Sequence, residues 1–449
     1  MMNLARIILM LILIFSCYGC ATDSKEAVMH PSGSYTVIKG GLLIDGKGRD
    51  PIPNSIVVIE GSSIKAVGTP DQINIPSGAK IIEAKNKVVL PGLIDMHVHY
   101  SYWMDQLFIS HGVTTVKDVG RPLNFILEAR KQSHKEGVKK PRIYTSGPFL
   151  DGSPPLFGMP LYGEPQSYPV TTPEEARSAA YKLINSKVDY FKVQQKMTLP
   201  CLKAIMEVAN KEKVMVTAHL GVGGFADGNT GEIKASEAIL LGVKGLEHGT
   251  GIQYLTASKL ELEEVSNMIV SRSVFVIPTL FMEEQFSKLH DPEIQKDPML
   301  KQISPEILKG LYSFWETTFG LGKRWTKGHS NRHRAILEKR KEFIRLLIKK
   351  GGSGLIVAGT DVTVPYVFPG VSLHREIELL ASAGLTPMQA IMAATNNAAA
   401  LLGHADRLGT LEAGKIADIL ILSANPLENI SNIRSVEMVL RDGRIIWEK

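Results

Sequence analysis

Two histidines two residues apart, His97 and His99, stand near the end of the stretch PGLIDMHVHY, residues 91–100. Leu93, Ile94 and Met96 form a short apolar run behind the breaker Pro91–Gly92, and this reads as a buried strand. Residues i and i+2 of a strand share a face, so both imidazoles project from one strand end in the same direction. Converging neutral imidazoles suit a divalent cation. So short a pattern has a high false-positive rate, and its meaning rests on the rest of the chain.

Other short apolar segments carry side chains of related chemistry at their ends. DYFKV holds Lys192, VMVTAH ends on His219, GLEHG holds His248 and LIVAGTD ends on Asp361. Any one of the histidines, taken singly, has the commoner role of a hydrogen-bonded core residue. Yet four of the twelve histidines fall at such ends, while the others lie in helices, loops or the tail. Metal-type residues at the same end of several strands point to a single metal site.

The elements that must position them form an alternating middle region. Strand-like segments at 91–99, 114–119, 142–146, 190–193, 214–219, 245–248, 274–280 and 355–361 make eight, with helical stretches between them. That alternation predicts a parallel (β/α)8 barrel, a TIM barrel, over residues 90–407, and in such barrels functional side chains gather at the C-terminal strand ends. Thr172-Pro173-Glu174-Glu175 predicts a helix start, with Ala176, Ala179, Ala180, Leu183 and Ile184 facing inward. Thr386-Pro387-Met388-Gln389 predicts another, running to Gly403. Short β-branched runs with turn residues fill 35–89 and return at 408–449, which predicts one small β-sandwich built from both chain ends. Asp442-Gly443 reads as a hairpin turn there.

Residues 281–354 form an unusually long connection between the last two barrel strands, ending in a helix near 335–350. Between Lys288 and Lys350, Lys and Arg outnumber Asp and Glu by 15 to 7. A solvated helical excursion accounts for such a charge run; a lid that admits acidic substrates is the sharper expectation.

Taken together, VVLPGLIDMHVH, FKV, AH, LEHG, GTD and LGTLEAGKIADILIL make the chain resemble the amidohydrolase superfamily from about residue 35 to 449. SGPFLDGSPP and LHREIELLASAGLTPMQAIMAAT resemble its imidazolonepropionase-like and prolidase-like branch. The resemblance implies that His97, His99 and Asp361 hold one metal ion and His219 and His248 a second. Lys192 would bridge them as a carbamate formed with CO2, since an ammonium repels a cation and a carbamate oxygen ligates it. Zn2+ suits the mixed His and carboxylate set, and Mn2+, Fe2+ or Co2+ fit it as well. Two such ions lower the pKa of a shared water, with Asp361 as the general base and acid. The activity implied is hydrolysis of a C–N amide bond in a small molecule: a dipeptide such as Xaa-Pro, an N-acyl amino acid or a cyclic amide. A lactonase or esterase, or an envelope binding protein without turnover, are the alternatives. Tyr100 and Arg121 are expected to meet the substrate, Arg121 through a carboxylate. Leu220 stands where some dipeptide-cleaving relatives carry an aromatic hydroxyl, and the glycine-rich segment after it reads as a loop over the site.

Composition fits a globular enzyme, with 44% hydrophobic and 21% charged residues. The net charge of +6 comes without a long basic tract, which gives no support to nucleic-acid binding. Arg6 and the nine apolar residues 7–15 resemble an export signal, placing 1–20 as a signal segment and 21–34 as a tether. Cys17 and Cys20 each follow a small residue, as in a lipoprotein signal, so an envelope location with an N-terminal lipid anchor is expected. Cys201 is the one cysteine left in the body, so no disulfide framework is expected. Oligomeric state is not legible in the sequence.

Overall fold

The computed structural model describes residues 35–155, 157–222, 231–321 and 325–449. The export signal, both candidate lipidation cysteines and the tether lie outside these residues, as does the middle of the glycine-rich segment after Leu220.

The strands of both chain ends join in one eight-stranded sheet. Its seam is Val88–Pro91, which pairs antiparallel with Ile419–Leu422 and parallel with Tyr35–Leu43. Ile38, Val57 and Ile64 from the first end pack with Ile419, Ile421 and Leu440 from the second in one apolar core. Asp442 and Gly443 both take positive φ, 50° and 74°, and join Val436–Arg441 to Arg444–Glu448 in a two-residue hairpin. A Cβ on Gly443 would lie 2.2 Å from the Gly61 carbonyl oxygen, so the turn tolerates no side chain there.

A parallel barrel follows directly from that seam. Leu93–Val98, Val113–Asp118 and Arg142–Thr145 pair in order, and Phe191–Val193, Val216–Ala218, Gly245–Glu247 and Phe275–Ile277 continue the wall. The eighth segment is not an extended strand. It closes the ring through two single bridges, Val276 with Ile356 and Val98 with Val362. Helices cover the outside. Thr172 caps Pro173–Asn185 in a capping box with Glu175, and Ala176, Ala180 and Leu183 are its buried residues. Thr386 does the same for Pro387–Ala393, but that helix stops early, and a second one, Asn396–Leu401, precedes Gly403. Thr395 breaks the run: its hydroxyl donates to the Ile391 carbonyl, and its own φ and ψ are non-helical.

The connection at 281–354 is helical, and its last helix, Lys327–Lys349, starts earlier than the sequence suggests. Ile336, Leu337, Phe343, Ile344 and Leu347 bury its apolar side. Under that face Glu283 accepts from His333 Nδ1 at 2.6 Å and pairs with Arg340 at 3.0 Å, fastening the connection to Leu280–Phe286. Arg142 ties the barrel to the terminal sheet, its two Nη atoms each 2.6 Å from Asp418 and Asp442.

Candidate metal centre

His97, His99, His219, His248 and Asp361 meet in one cavity at the C-terminal mouth of the barrel. His97 and His99 leave the first strand on one face, as their i, i+2 spacing requires. Asp361 is brought to them by the closing segment. Asp95 Oδ1 accepts the Thr360 amide at 3.0 Å and Oδ2 accepts the Thr360 hydroxyl at 2.7 Å; the Asp361 amide donates to the His97 carbonyl at 2.8 Å. Gly359 permits this approach, since a Cβ there would lie 3.0 Å from His97. Asp361 and His248 both hold positive φ, 64° and 56°, a strained region for side-chain-bearing residues that a site retains only when its surroundings enforce it.

Asp361 Oδ1 lies 3.4 Å from His97 Nε2 and 3.2 Å from His99 Nε2, and Oδ2 lies 3.8 Å from His248 Nε2. The His219 and His248 ring centroids are 4.4 Å apart, and those of His97 and His248 are 4.5 Å apart. One ligand atom from each of His97, His99 and Asp361 falls within 4.8 Å of the others, spacing that suits one cation. Outer partners turn the Nε2 atoms inward: His97 Nδ1 is 2.7 Å from Glu247 and His248 Nδ1 is 2.8 Å from the Thr279 hydroxyl.

Burial drives His99 down to about 4 and holds His219 and His248 well below the usual histidine range, so these three are neutral and able to ligate. Burial opposes the Asp361 carboxylate too, but His97 and His99 outweigh it and keep the carboxyl below its usual range. Lys192 is buried, and burial lowers its ammonium to about 7. Among the described residues its Nζ has no hydrogen-bond partner, and it lies 3.8 Å from Glu247.

Glu247 is the buried residue that reading the sequence passed over. Its carboxylate takes Lys117 Nζ on one oxygen at 2.6 Å and His97 Nδ1 on the other at 2.7 Å. Burial works against that charge, and Lys117, Lys192 and His97 outweigh it, holding the carboxyl well below its usual range. The signal was present: Lys117 in TTVKDV and Glu247 in GLEHG are opposite charges within apolar strands.

The two residues expected to meet the substrate differ in placement. Tyr100 does not line the cavity; it is fully buried and donates its hydroxyl to Asp105 at 2.6 Å. Arg121 does line it, but its Nε and one Nη donate to the carbonyls of Tyr100 and His99, so it braces the first strand's end as well as facing the cavity. From the connection between the last two barrel strands Phe314 and Phe319 line the cavity, and among the described residues of 288–350 no lysine or arginine does.

Residues 88–446 match the model of the amidohydrolase family, and the chain belongs to that family. An imidazolonepropionase of Geobacillus thermodenitrificans is 24% identical over 441 residues, 88% of this chain and 90% of that protein. A dihydroorotase of Streptomyces coelicolor is 40% identical over 67 residues, so the chain matches only 13% of that relative's length. Among solved structures, a Xaa-Pro dipeptidase with methionine bound in its active site superposes with a TM-score of 0.70 at 22% identity, covering 93% of this chain and all of that one. An ochratoxinase of A. niger does so with a TM-score of 0.70 at 22% identity, covering 93% and 96%. These superpositions establish the fold, a TIM barrel with an added domain.

Proposed function

We propose that this chain is a binuclear metal-dependent hydrolase that cleaves a C–N amide bond in a small molecule. His97, His99 and Asp361 would hold one ion and His219 and His248 the other, with Lys192, as its carbamate, a further oxygen donor. The observation that carries this reading is the donor set itself: Asp361 within 3.2–3.8 Å of three Nε2 atoms, at the mouth of a barrel of this family. Lys192 fits its part because burial favours the neutral amine. That amine adds to CO2, forming an N–C bond and releasing one proton, and among the described residues its Nζ has no hydrogen bond to give up.

Bound divalent ions, Zn2+ in the first instance, would polarise the substrate carbonyl and supply a water of lowered pKa. Asp361 is ionised, held so by His97 and His99, and its Oδ2 lies 3.8 Å from His248 Nε2. It takes a proton at that oxygen and returns it to the leaving nitrogen. Arg121 and Glu247 act before the chemistry. Arg121 fixes the backbone at His99, and Glu247 fixes the His97 ring with Nε2 inward.

Screening the purified Zn-loaded protein against dipeptides, N-acyl amino acids, cyclic amides, lactones and esters tests the reading. Amide turnover lost on chelation, and lost in Asp361→Asn, is the expected result. Turnover confined to esters and lactones, or saturable ligand binding without product, would overturn it.

A further inference from the structure

The cavity floor carries the histidines and Asp361, and its walls are largely aromatic. Four phenylalanines line it. Phe149 and Phe157 follow the third barrel strand and stack on each other, with centroids 5.3 Å apart and planes at 21°. Both rings sit against His99, at 5.8 and 6.4 Å, so this pair borders the reacting centre. Phe314 and Phe319 come from the helical connection and meet edge to face at 5.7 Å.

The second pair is held in place from behind. Phe319 packs on Phe286 at 5.7 Å, and Phe286 in turn packs on Trp325 at 5.4 Å and His333 at 5.0 Å. Trp315, fully buried between the two phenylalanines in sequence, donates its indole N–H to the Thr363 carbonyl at 2.9 Å. Thr363 lies two residues beyond Asp361, so the aromatic wall is stitched to the segment that bears the acid. Val364 adds a further apolar surface, and Arg121 is the lysine- or arginine-type charge among the described lining residues.

Aromatic rings prefer offset-stacked or edge-to-face neighbours, and such contacts add to the burial of apolar area. A preorganised wall discriminates mainly by what it buries. We infer that the substrate is a monoanionic amide with an aromatic group beside the scissile bond: an N-acyl aromatic amino acid whose ring enters the phenylalanine-lined cavity and whose carboxylate faces Arg121. This inference rests on the amide-hydrolase reading and adds the substrate class.

The test compares N-acetyl-phenylalanine, N-benzoyl-alanine and N-acetyl-alanine on the Zn-loaded full chain, by kcat/KM and, independently of turnover, by calorimetric Kd on Asp361→Asn. N-acetyl-phenylalanine is expected to exceed both alanine compounds by on the order of 10- to 100-fold in both measurements. Phe319→Ala, and the milder Phe319→Leu, should shrink that ratio several-fold. Equal kcat/KM and equal Kd across the three compounds, or a ratio unchanged in both variants, would overturn the aromatic assignment and leave amide hydrolysis standing. Aromatic-selective binding without cleavage of any amide would keep the pocket assignment and remove the hydrolase reading.

Discussion

Glu247 Oε2 lies 2.7 Å from His97 Nδ1, while its other oxygen holds Lys117 at 2.6 Å. A carboxylate on the outer nitrogen of a ligating histidine fixes its tautomer and ring orientation, and its removal typically costs 10- to 100-fold in metal affinity. Glu247→Gln should therefore weaken zinc binding by roughly that factor in a competitive chelator titration. The same change strands the buried Lys117 ammonium, which costs about 3–5 kcal/mol, so the melting temperature should fall as well. Unchanged zinc affinity in a folded variant would show that the pair is structural only.

Asp361 is assigned both ligation and proton transfer. Asp361→Asn keeps the shape and removes the base. Its kcat should fall roughly 100- to 10,000-fold, the usual worth of a positioned acid–base group. A drop below tenfold in protein with full metal content would move the proton transfer elsewhere.

Lys192 is assigned a covalent state. Native intact-mass measurement should find the chain heavier than its sequence by one CO2, lost on acidification. Lys192→Met should bind one equivalent of zinc where the parent chain binds two, without a large change in melting temperature. Two equivalents in the variant would remove Lys192 as a donor.

Glu283 gives the helical connection its own acid sensitivity. Burial raises its carboxyl, but Arg340 and His333 outweigh that and lower it. A carboxyl lowered in the folded state contributes stability above its unfolded pKa, and that contribution is lost as pH falls through the folded value. Glu283→Gln should cost about 3 kcal/mol near neutrality, because Arg340 is left buried and unpaired. The gap between the two proteins should narrow as pH falls below the ordinary glutamate value, about 4.3, read from paired thermal melts. A constant gap would remove Glu283 as the group responsible.

The barrel was legible because its strands are short apolar runs with metal-type residues at one end, and period-two alternation placed His97 and His99 together. The closing sheet was legible from Asp442-Gly443 and from β-branched runs at both ends. Less came through where long-range packing decides. The segment ending at Asp361 reads as a strand in sequence, yet it forms single bridges because Asp95 and Thr360 draw it over the first strand. Charge counts say little in the connection at 281–354, since composition cannot say which face of a helix meets a cavity; among its described residues Phe314 and Phe319 do, and no lysine or arginine does. Tyr100 misled for a related reason, as its neighbour Asp105 turns the ring into the core. Glu247 was overshadowed by the histidine beside it.

The most direct measurement is an anomalous-scattering map at the zinc edge from crystals of the Zn-loaded protein. The account predicts two peaks, one about 2.0–2.2 Å from donor atoms of His97, His99 and Asp361, the other at the same distance from His219 and His248. The ordinary electron density of the same crystals should extend beyond Lys192 Nζ as a carboxylate. A map with no peak among these side chains, under conditions where the protein still cleaves an amide, would contradict it.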